Sequence, residues 1–318
     1  MACTVLHSRA CLGSCAKTSW RNLQFQVRCA ATAIPNLRLL ELSVALDRHI
    51  VGQVDAKMAV VLGLISCEHV YIEGPPGVGK TRLAEVASDT AGLSRFIYQF
   101  HRDTRVDELI GDSTIMRERI AEGEVIRQGV RPGGILTARI CVLDDISRAP
   151  GEALNVLLRL LNERSYNSKP LKLRCAIATG NPTREEFFNE PLDPAVLDRF
   201  ALQVSLGGIV RGKNWDAAAR VVRQHCALPS GPDVSDMLGA FTAEFWQAVD
   251  RDLQEVEFPE DLLQTLLAVL NALVSEPEVE RSHLSLLTDR TFLVKAPRIM
   301  RAHALLEGRK KCTEKDLQ

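Results

Sequence analysis

Apolar runs separated by amphipathic stretches make up the chain from about residue 70 to residue 206. The runs at 70–72, 140–143, 173–179 and 201–205 have the composition of short buried strands. The stretch after the first run has the apolar spacing of a helix, and polar residues close the runs. Buried strands that alternate with helices are typical of a parallel sheet covered on both faces. The pattern therefore predicts an α/β core with a parallel sheet sandwiched by helices.

The pattern changes beyond residue 206, where a Gly-Gly pair interrupts it and strand alternation ends. Helical apolar spacing recurs around 214–226, 235–254, 259–275 and 297–309. We expect Pro277 and Pro297 to separate the later helices, because proline disrupts a helix interior. A capping pattern at 313–316 would open another helix, yet the sequence stops at Gln318, which leaves open whether the last helix is incomplete. A smaller all-α domain should follow the core.

A glycine-rich turn between the first strand and its helix carries the most specific signal. It consists of Gly74, Pro75, Pro76, Gly77, Val78, Gly79, Lys80 and Thr81, and it fits the Walker A pattern. Gly77 and Gly79 let backbone N–H groups turn toward phosphates at the start of the helix. Lys80 would reach the outer phosphates, and Thr81 would bind Mg²⁺. The turn predicts that the chain binds a nucleoside triphosphate.

Polar residues follow the later strands at places where a second half of this site is needed. Asp144 and Asp145 close the run 140–143; Asp144 would hold hydrated Mg²⁺ opposite Thr81, and Asp145 would direct a carboxylate toward the attacking water. Asn181 follows the next run, where its amide could orient water. Arg199 ends a short helix opened by Asp193 and Pro194. Arg199 could equally be a cation that stabilises the negative end of that helix.

In this order the motifs resemble those of AAA+ ATPases, and the sequence looks closest to the MoxR branch. Further similar stretches are 49–53, 146–150 and 296–298. The resemblance covers roughly residues 37–318 and implies a nucleotide-binding core at 37–206 with a helical lid at 207–318. It implies ATP and Mg²⁺ as ligands. It also implies ATP hydrolysis that drives ring-based remodelling or maturation of protein complexes, as by a chaperone.

The same resemblance assigns roles to individual residues. Val51 and Gly52 match the segment near the adenine, and Asn181 matches sensor 1. Arg298 matches the sensor 2 arginine of the lid, and Arg199 matches the arginine finger. Such a finger enters the neighbouring subunit's site and stabilises charge on the transferring phosphoryl group. The working state implied is a homo-oligomer, usually a hexameric ring, with a von Willebrand A-domain protein and a client complex as partners.

One departure from the family bears on the rate of hydrolysis, because Asp145 stands where the family usually has Glu. Aspartate is shorter by one methylene, and catalytic geometry is sensitive to such displacements. We therefore expect slow hydrolysis, and the alternative is an ATP-gated assembly scaffold that barely cleaves ATP. A small-molecule kinase would not explain Asn181, Arg199 and Arg298, and a GTPase should carry an Asn-Lys-x-Asp motif, which the sequence lacks.

Composition and charge limit the classes of partner that we expect the chain to bind. The chain is 46 % hydrophobic and 25 % charged with a net charge of −1, as in ordinary globular proteins. No long basic cluster indicates nucleic-acid binding, and no apolar run approaches the roughly 18 residues of a membrane span. Residues 1–36 contain no acidic residue and resemble a transit peptide. We expect a chloroplast protein; a mitochondrial presequence or a disordered cytoplasmic leader are the alternatives.

The cysteines lack the spacing of a zinc site, and Cys141 and Cys175 fall within apolar strands, so we expect buried, reduced thiols there.

Between residues 100 and 135 the chain carries an insertion, in which 113–129 could form a small hairpin or a helix pair broken at Gly123. It resembles the helix 2 insert of the family, which faces the ring channel. The insertion either contacts substrate or is a variable surface loop.

Overall fold

The structure, a computed structural model, describes residues 35–120, 123–182, 192–210, 212, 214–227, 241–275 and 289–317. The predicted transit peptide, on which the chloroplast prediction rests, lies outside the described residues except for its last two positions. Within the described ranges no helix has the length and apolar character needed to cross a membrane. In chain order the elements are α1 (Pro35–His49), α2 (Val54–Ser66), β1 (Val70–Glu73), α3 (Lys80–Thr90), β2 (Arg95–Gln99), α4 (Val106–Ile110), β3 (Ser113–Ile120), β4 (Gly123–Val130), β5 (Ile140–Asp144), α5 (Gly151–Glu163), β6 (Ser165–Tyr166), β7 (Lys169–Pro170), β8 (Cys175–Gly180), α6 (Pro194–Leu197), β9 (Leu202–Ser205), α7 (Trp215–Ala227), α8 (Ala243–Glu255), α9 (Glu260–Ser275) and α10 (Asp289–Leu306).

Five parallel strands form the central sheet in the order β2-β5-β8-β1-β9. All residues of β1 and β8 are buried, which is why their sequences are continuously apolar rather than alternating. The α/β prediction and all four predicted strands are confirmed. The sequence pattern missed β2, an edge strand whose residues are exposed or half-buried and include Arg95 and Gln99.

Alternate residues of the buried strands face two separate layers of helices, as the pleat of a strand requires. Ile140 and Val142 of β5 pack with α1, α2 and α3 on one face. Cys141 and Leu143 face α4, α5 and α6 on the other. Both Cys141 and Cys175 are fully buried, as predicted, and burial raises the pKa of each thiol. The helices fix the sheet and therefore the positions of the loops at its ends.

Within the residues described after β9, the regular elements are helices, α7 to α10 and the turn near the end of the chain, so the all-α prediction for the second part is confirmed there. Buried residues of α8, α9 and α10 belong to the same cluster as those of α1 to α3. The division into domains at 206 and 207 stays a prediction. The expected helix break at Pro297 is wrong, because α10 runs through this residue. Phe292, Ala296 and Met300 pack on the core on both sides of Pro297, which offsets the lost backbone hydrogen bond.

The insertion between β2 and β5 contains an antiparallel hairpin, β3-β4, with Ser113 opposite Val130 and Ile120 opposite Gly123. Of the two predicted forms, the hairpin is therefore confirmed and the helix pair is not. Residues 121 and 122, between the two strands in sequence, lie outside the described residues. The hairpin follows α4 in the chain. A hydrogen bond from the Arg131 N–H to the Asp112 carbonyl oxygen, at 2.8 Å, joins the residues on either side of it.

The end of the described chain folds back on α10. Asp316 accepts hydrogen bonds from Arg309 (Nη1, 2.8 Å) and from the Thr313 backbone N–H (2.7 Å), and its other oxygen lies 2.6 Å from His303 Nδ1. Burial favours the neutral acid, but the hydrogen bonds from Arg309 and His303 outweigh it and hold the pKa of Asp316 well below its usual range. The predicted capping pattern thus forms a single turn at Glu314–Leu317 that is tied to the helix.

Candidate nucleotide-binding site

The glycine-rich turn joins β1 to α3 at the carboxyl edge of the sheet. Gly77 and Gly79 have φ angles of 81° and 89°, in the left-handed region that glycine adopts without strain. Gly74 lies against β9, where an added Cβ would come within 2.9 Å of the Leu206 carbonyl oxygen. The left-handed backbone at Gly77 and Gly79 and the close approach at Gly74 therefore explain why these positions hold glycine. The turn leaves the first N–H groups of α3 at the edge where a phosphate would bind.

Lys80 lies at the start of α3 and its ammonium folds back over the turn. Its Nζ donates to the carbonyl oxygens of Gly74 (2.5 Å) and Pro75 (3.1 Å), and to Oδ1 of Asn181 (2.9 Å). Burial lowers the pKa of Lys80, and the carboxylates of Asp145 and Asp144 oppose that shift. A phosphate beside this ammonium would further favour its charged form. The position of Lys80 therefore suits an anionic ligand.

Asp144 faces Thr81 across the site. Its Oδ1 accepts hydrogen bonds from Thr81 Oγ1 at 2.7 Å and from Thr179 Oγ1 at 2.5 Å. Thr179 is fully buried and lies near the end of β8. Its role was not predicted from the sequence, although a hydroxyl that directly follows the apolar residues 175–178 was a usable signal. A hydroxyl and a carboxylate oxygen at this distance form the type of oxygen ligand set that Mg²⁺ prefers.

Asp145 is held from three sides. Its backbone N–H donates to Thr179 Oγ1 at 3.2 Å, and its Oδ1 accepts from Asn181 Nδ2 at 3.2 Å. Arg148 Nε lies 3.6 Å from the other carboxylate oxygen. The backbone of Asp145 is left-handed, with φ 52°, a conformation that Asp and Asn tolerate better than most residues. The short acidic side chain is thus fixed next to the amide that sequence reasoning placed beside it.

A cavity of about 460 Å³ joins these groups. Its lining residues are Pro76, Gly77, Gly79, Lys80, Thr81, Arg82, Asp144, Asp145, Arg148 and Asn181. Eight of these ten residues were predicted as ligand-binding, metal-binding or catalytic, and Arg82 and Arg148 were not. Arg148 belongs to the similar stretch 146–150, so the sequence contained a signal for it. Gly74, Pro75 and Val78 belong to the same turn but are not among the lining residues.

The segment that contains Val51 and Gly52 lies next to the start of the turn rather than in the cavity wall. Gly52 and Gln53 both have left-handed backbones. Gln53 Nε2 donates to the Gly207 carbonyl at 3.1 Å, and the neighbouring Leu206 N–H donates to Glu73 O at 2.7 Å. The predicted adenine contact of Val51 and Gly52 stays a prediction.

The two predicted arginines lie at the amino ends of the strands, opposite the ends that carry the phosphate turn. Arg199 precedes β9, whose first residue, Leu202, pairs with the first residue of β1. Arg298 Nη1 lies 3.7 Å from the carboxylate of Glu68, two residues before β1 begins. The length of β1, about 10 Å at roughly 3.3 Å per residue, separates these ends from the phosphate turn. The structure therefore does not bring Arg199 or Arg298 to the cavity, and their roles stay predictions.

Comparison with known proteins agrees with this geometry. Residues 69–200, which contain the phosphate turn, the acidic pair and Asn181, match the family model described as the AAA domain of the dynein-related subfamily. This part of the chain is therefore similar to an AAA domain. The match ends at Phe200, directly after Arg199, so it spans both edges of the sheet.

The relatives of this chain include one protein named for the predicted branch. It is 31 % identical over 165 residues to Chaperone MoxR1 of Mycobacterium tuberculosis, covering 50 % of this chain and 42 % of the relative. It is 23 % identical over 240 residues to the uncharacterized protein YeaC of Bacillus subtilis, covering 74 % and 70 % of the two chains. The resemblance to MoxR is confirmed, although less than half of MoxR1 is matched.

A solved structure shares the fold. The crystal structure of a candidate ATPase from Cytophaga hutchinsonii superposes with a TM-score of 0.63 at 19 % identity, covering 89 % of this chain and 84 % of the other. At this identity the match supports the fold alone, a parallel sheet flanked by helices.

Proposed function

We propose that this chain is an AAA+ ATPase, which binds Mg-ATP at the cavity beside the phosphate turn and hydrolyses it to ADP and phosphate. The observation that carries the proposal is the convergence of Lys80, Thr81, Asp144, Asp145 and Asn181 on one cavity. Three separate strand ends supply these side chains, and neither a chance glycine turn nor an isolated acidic pair accounts for that convergence.

The residues at the cavity fit a triphosphate with its magnesium ion. The Thr81 hydroxyl and the Asp144 carboxylate, 2.7 Å apart, are suitable oxygen ligands on one side of the site. Lys80 offers a partly desolvated positive charge. When bound, Mg²⁺ would neutralise the charge that develops on the phosphate oxygens. Thr179 holds the Asp144 carboxylate in the orientation that this ligand role requires.

Asp145 and Asn181 are the residues that act on water. With 3.2 Å between the Asn181 amide nitrogen and the Asp145 carboxylate, one water molecule can contact both groups. The amide orients it, and the carboxylate accepts a proton as the water oxygen attacks the terminal phosphorus and the bond to ADP breaks. Asn181→Ala should therefore lower kcat for phosphate release about a hundredfold and leave ATP bound. A tenfold or greater loss of ATP affinity with unchanged kcat would contradict this role.

The edge at which Arg199 lies supports an oligomer. The length of β1 separates Arg199 from the cavity of its own subunit, and its side chain is 30 % exposed. We assign Arg199 to the cavity of a neighbouring subunit, where its guanidinium stabilises charge on the transferring phosphoryl group. Arg298 shares this end of the strands, and its role as the sensor 2 arginine of the lid stays a prediction. We expect a hexameric ring, which a mass measurement with and without Mg-ATP tests; a monomer at micromolar concentrations under both conditions would refute it.

The short side chain of Asp145 supports a second candidate, an ATP-gated scaffold that cleaves ATP barely or not at all. Asp145→Glu distinguishes the two. If the chain is a slowed enzyme, the longer side chain should raise phosphate release about tenfold, at a small cost in stability from the left-handed backbone. Undetectable release by both forms, with normal ATP binding, would favour the scaffold.

The task of ATP turnover is inferred from the relatives. Because MoxR1 is a chaperone by name, we propose that the ring remodels or matures a protein complex, with a von Willebrand A-domain protein as its partner. The β3-β4 hairpin, an insertion on a rigid α/β scaffold, is our candidate for the contact with client protein. Capture of partners by the Asn181→Ala variant in the presence of ATP, compared with Lys80→Ala, tests this. Equal recovery by both variants would argue against nucleotide-dependent binding.

A further inference from the structure

One face of α10 forms hydrogen bonds with the turn that carries Arg199. Thr291, Lys295 and Arg298 lie three to four residues apart and therefore share this face. Lys295 Nζ donates to the carbonyl oxygens of Arg199 at 3.1 Å and of Asp198 at 3.5 Å. Thr291 Oγ1 donates to Asp198 Oδ2 at 3.0 Å, and Arg199 Nη1 donates to the same oxygen at 3.1 Å.

The contacts are largely shielded from water. The Asp198 side chain is 9 % exposed and the Lys295 side chain 20 % exposed. The Glu68 carboxylate, 8 % exposed, lies 3.9 Å from Lys295 Nζ and provides a counter-charge below the turn. A partly buried ammonium is costly to move away from its partners, so Lys295 should stay where it is. Arg199, in contrast, has a half-buried side chain that is 30 % exposed, on a backbone that α10 holds through its carbonyl groups.

We propose that Lys295 and Thr291 are positioning residues that aim Arg199 at the nucleotide of a neighbouring subunit. Lys295 fixes the backbone of the turn through two carbonyl groups, and Thr291 fixes Asp198, which in turn orients the Arg199 guanidinium. Because both residues belong to α10, the contact also links this helix to hydrolysis in the next subunit. The inference rests on the proposed function of Arg199.

Kinetics of single variants provide the first test. Lys295→Met keeps the aliphatic stem and removes the three donors, so we expect kcat to fall about tenfold to a hundredfold, as for a misplacement of about 1 Å. KM for ATP should change by less than about twofold, because the phosphate turn lies at the other edge of the sheet. Lys295→Arg should restore part of kcat, since a guanidinium can donate to the same carbonyl groups. Arg290→Met removes one charge from an exposed position of the same helix and is the matched control.

Mixed rings provide a test that a general loss of stability would not mimic. Lys80→Ala disables the nucleotide site and leaves the arginine, whereas Arg199→Ala leaves the site and disables the arginine. A mixture of the two variants should recover phosphate release at interfaces that combine an intact site with an intact arginine. Adding Lys295→Met to the Lys80→Ala chain should remove that recovery, and adding it to the Arg199→Ala chain should not. Equal effects in both chains would overturn the positioning role.

Amide hydrogen exchange separates this inference from the proposed function. The N–H groups of Arg199 and Phe200 donate to Val196 and Leu197 at 3.1 and 3.0 Å, and they should exchange at least about fivefold faster in Lys295→Met than in Arg290→Met. An active wild type with equal kcat in Lys295→Met and Arg290→Met would overturn the positioning role alone. A wild type without phosphate release would sink the proposed function, even where the exchange result shows that α10 holds the turn.

Discussion

Replacing Thr179 by valine tests whether the site is organised around one buried hydroxyl. This group donates to the Asp144 carboxylate at 2.5 Å and accepts from the Asp145 backbone N–H at 3.2 Å. Thr179→Val keeps the shape of the side chain and removes both bonds. It therefore leaves Asp144 Oδ1, the oxygen expected to hold Mg²⁺, with the Thr81 hydroxyl alone, and it leaves the Asp145 N–H without this partner.

The magnitude follows from the two bonds. A buried hydrogen bond to a charged carboxylate contributes about 1.5–3 kcal/mol, and the longer bond to the N–H about 1 kcal/mol. Thr179→Val should thus lower the free energy of unfolding by about 2–4 kcal/mol. Loss of a group that orients a metal ligand typically weakens metal binding about 10- to 100-fold. The Mg²⁺ concentration for half-maximal binding of a fluorescent ATP analogue should rise by a factor in that range.

The matched control is Thr90→Val. Thr90 is also fully buried, but its hydroxyl donates to the Val86 carbonyl of its own helix, away from the site. Urea denaturation should give a loss of about 0.5–1.5 kcal/mol for this control, with no change in Mg²⁺ dependence. If Thr179→Val needs no more Mg²⁺ than Thr90→Val does, the assignment of Asp144 as the magnesium ligand is wrong.

Further predictions concern stability outside the cavity. Burial lowers the pKa of His69 to about 3, so between pH 6.5 and pH 5 the unfolded chain becomes protonated at this residue while the folded chain stays neutral, and the free energy of unfolding falls by about 1.6 kcal/mol. His69→Gln should reduce that pH-dependent loss by the same amount in denaturation curves at the two pH values; an unchanged loss would mean that His69 is not buried as a neutral ring. Arg174 forms two hydrogen bonds to Asp250, at 3.0 and 2.7 Å, and stacks 4.4 Å from the Trp246 ring, so Arg174→Lys should cost about 2–3 kcal/mol by urea denaturation. Arg159→Lys, at an exposed ion pair, should change stability by less than about 0.5 kcal/mol, and equal costs at both arginines would contradict the geometry at Arg174.

The sheet and the cavity were predictable because their residues follow local rules. Apolar runs bury continuous strands, and parallel strands bring their carboxyl ends to one edge. The residues that close β1, β5 and β8 had to meet there, as Lys80, Asp144 and Asn181 do. Strand β2 was missed because an edge strand keeps polar residues such as Arg95 and Gln99, which obscure its apolar positions.

The positions of the distant arginines depend on packing that no local pattern records. Arg298 lies beside Glu68 because α10 packs across the core on both sides of Pro297, where the proline rule alone predicted a break. Thr179 and Lys295 act through other residues, so neither belongs to a motif of its own. Their roles emerge only when the atoms they contact are known.

Calorimetric titration with ATP in the presence and absence of Mg²⁺ tests the central claim most directly. Binding at the cavity predicts one site per chain for the wild type and a marked loss of ATP affinity without Mg²⁺. In Lys80→Ala, which removes the ammonium expected to face the phosphates, ATP affinity should fall at least about a hundredfold. Lys311→Ala, at an exposed ion pair, should bind like the wild type. Binding of Mg-ATP by Lys80→Ala with wild-type affinity would contradict the account.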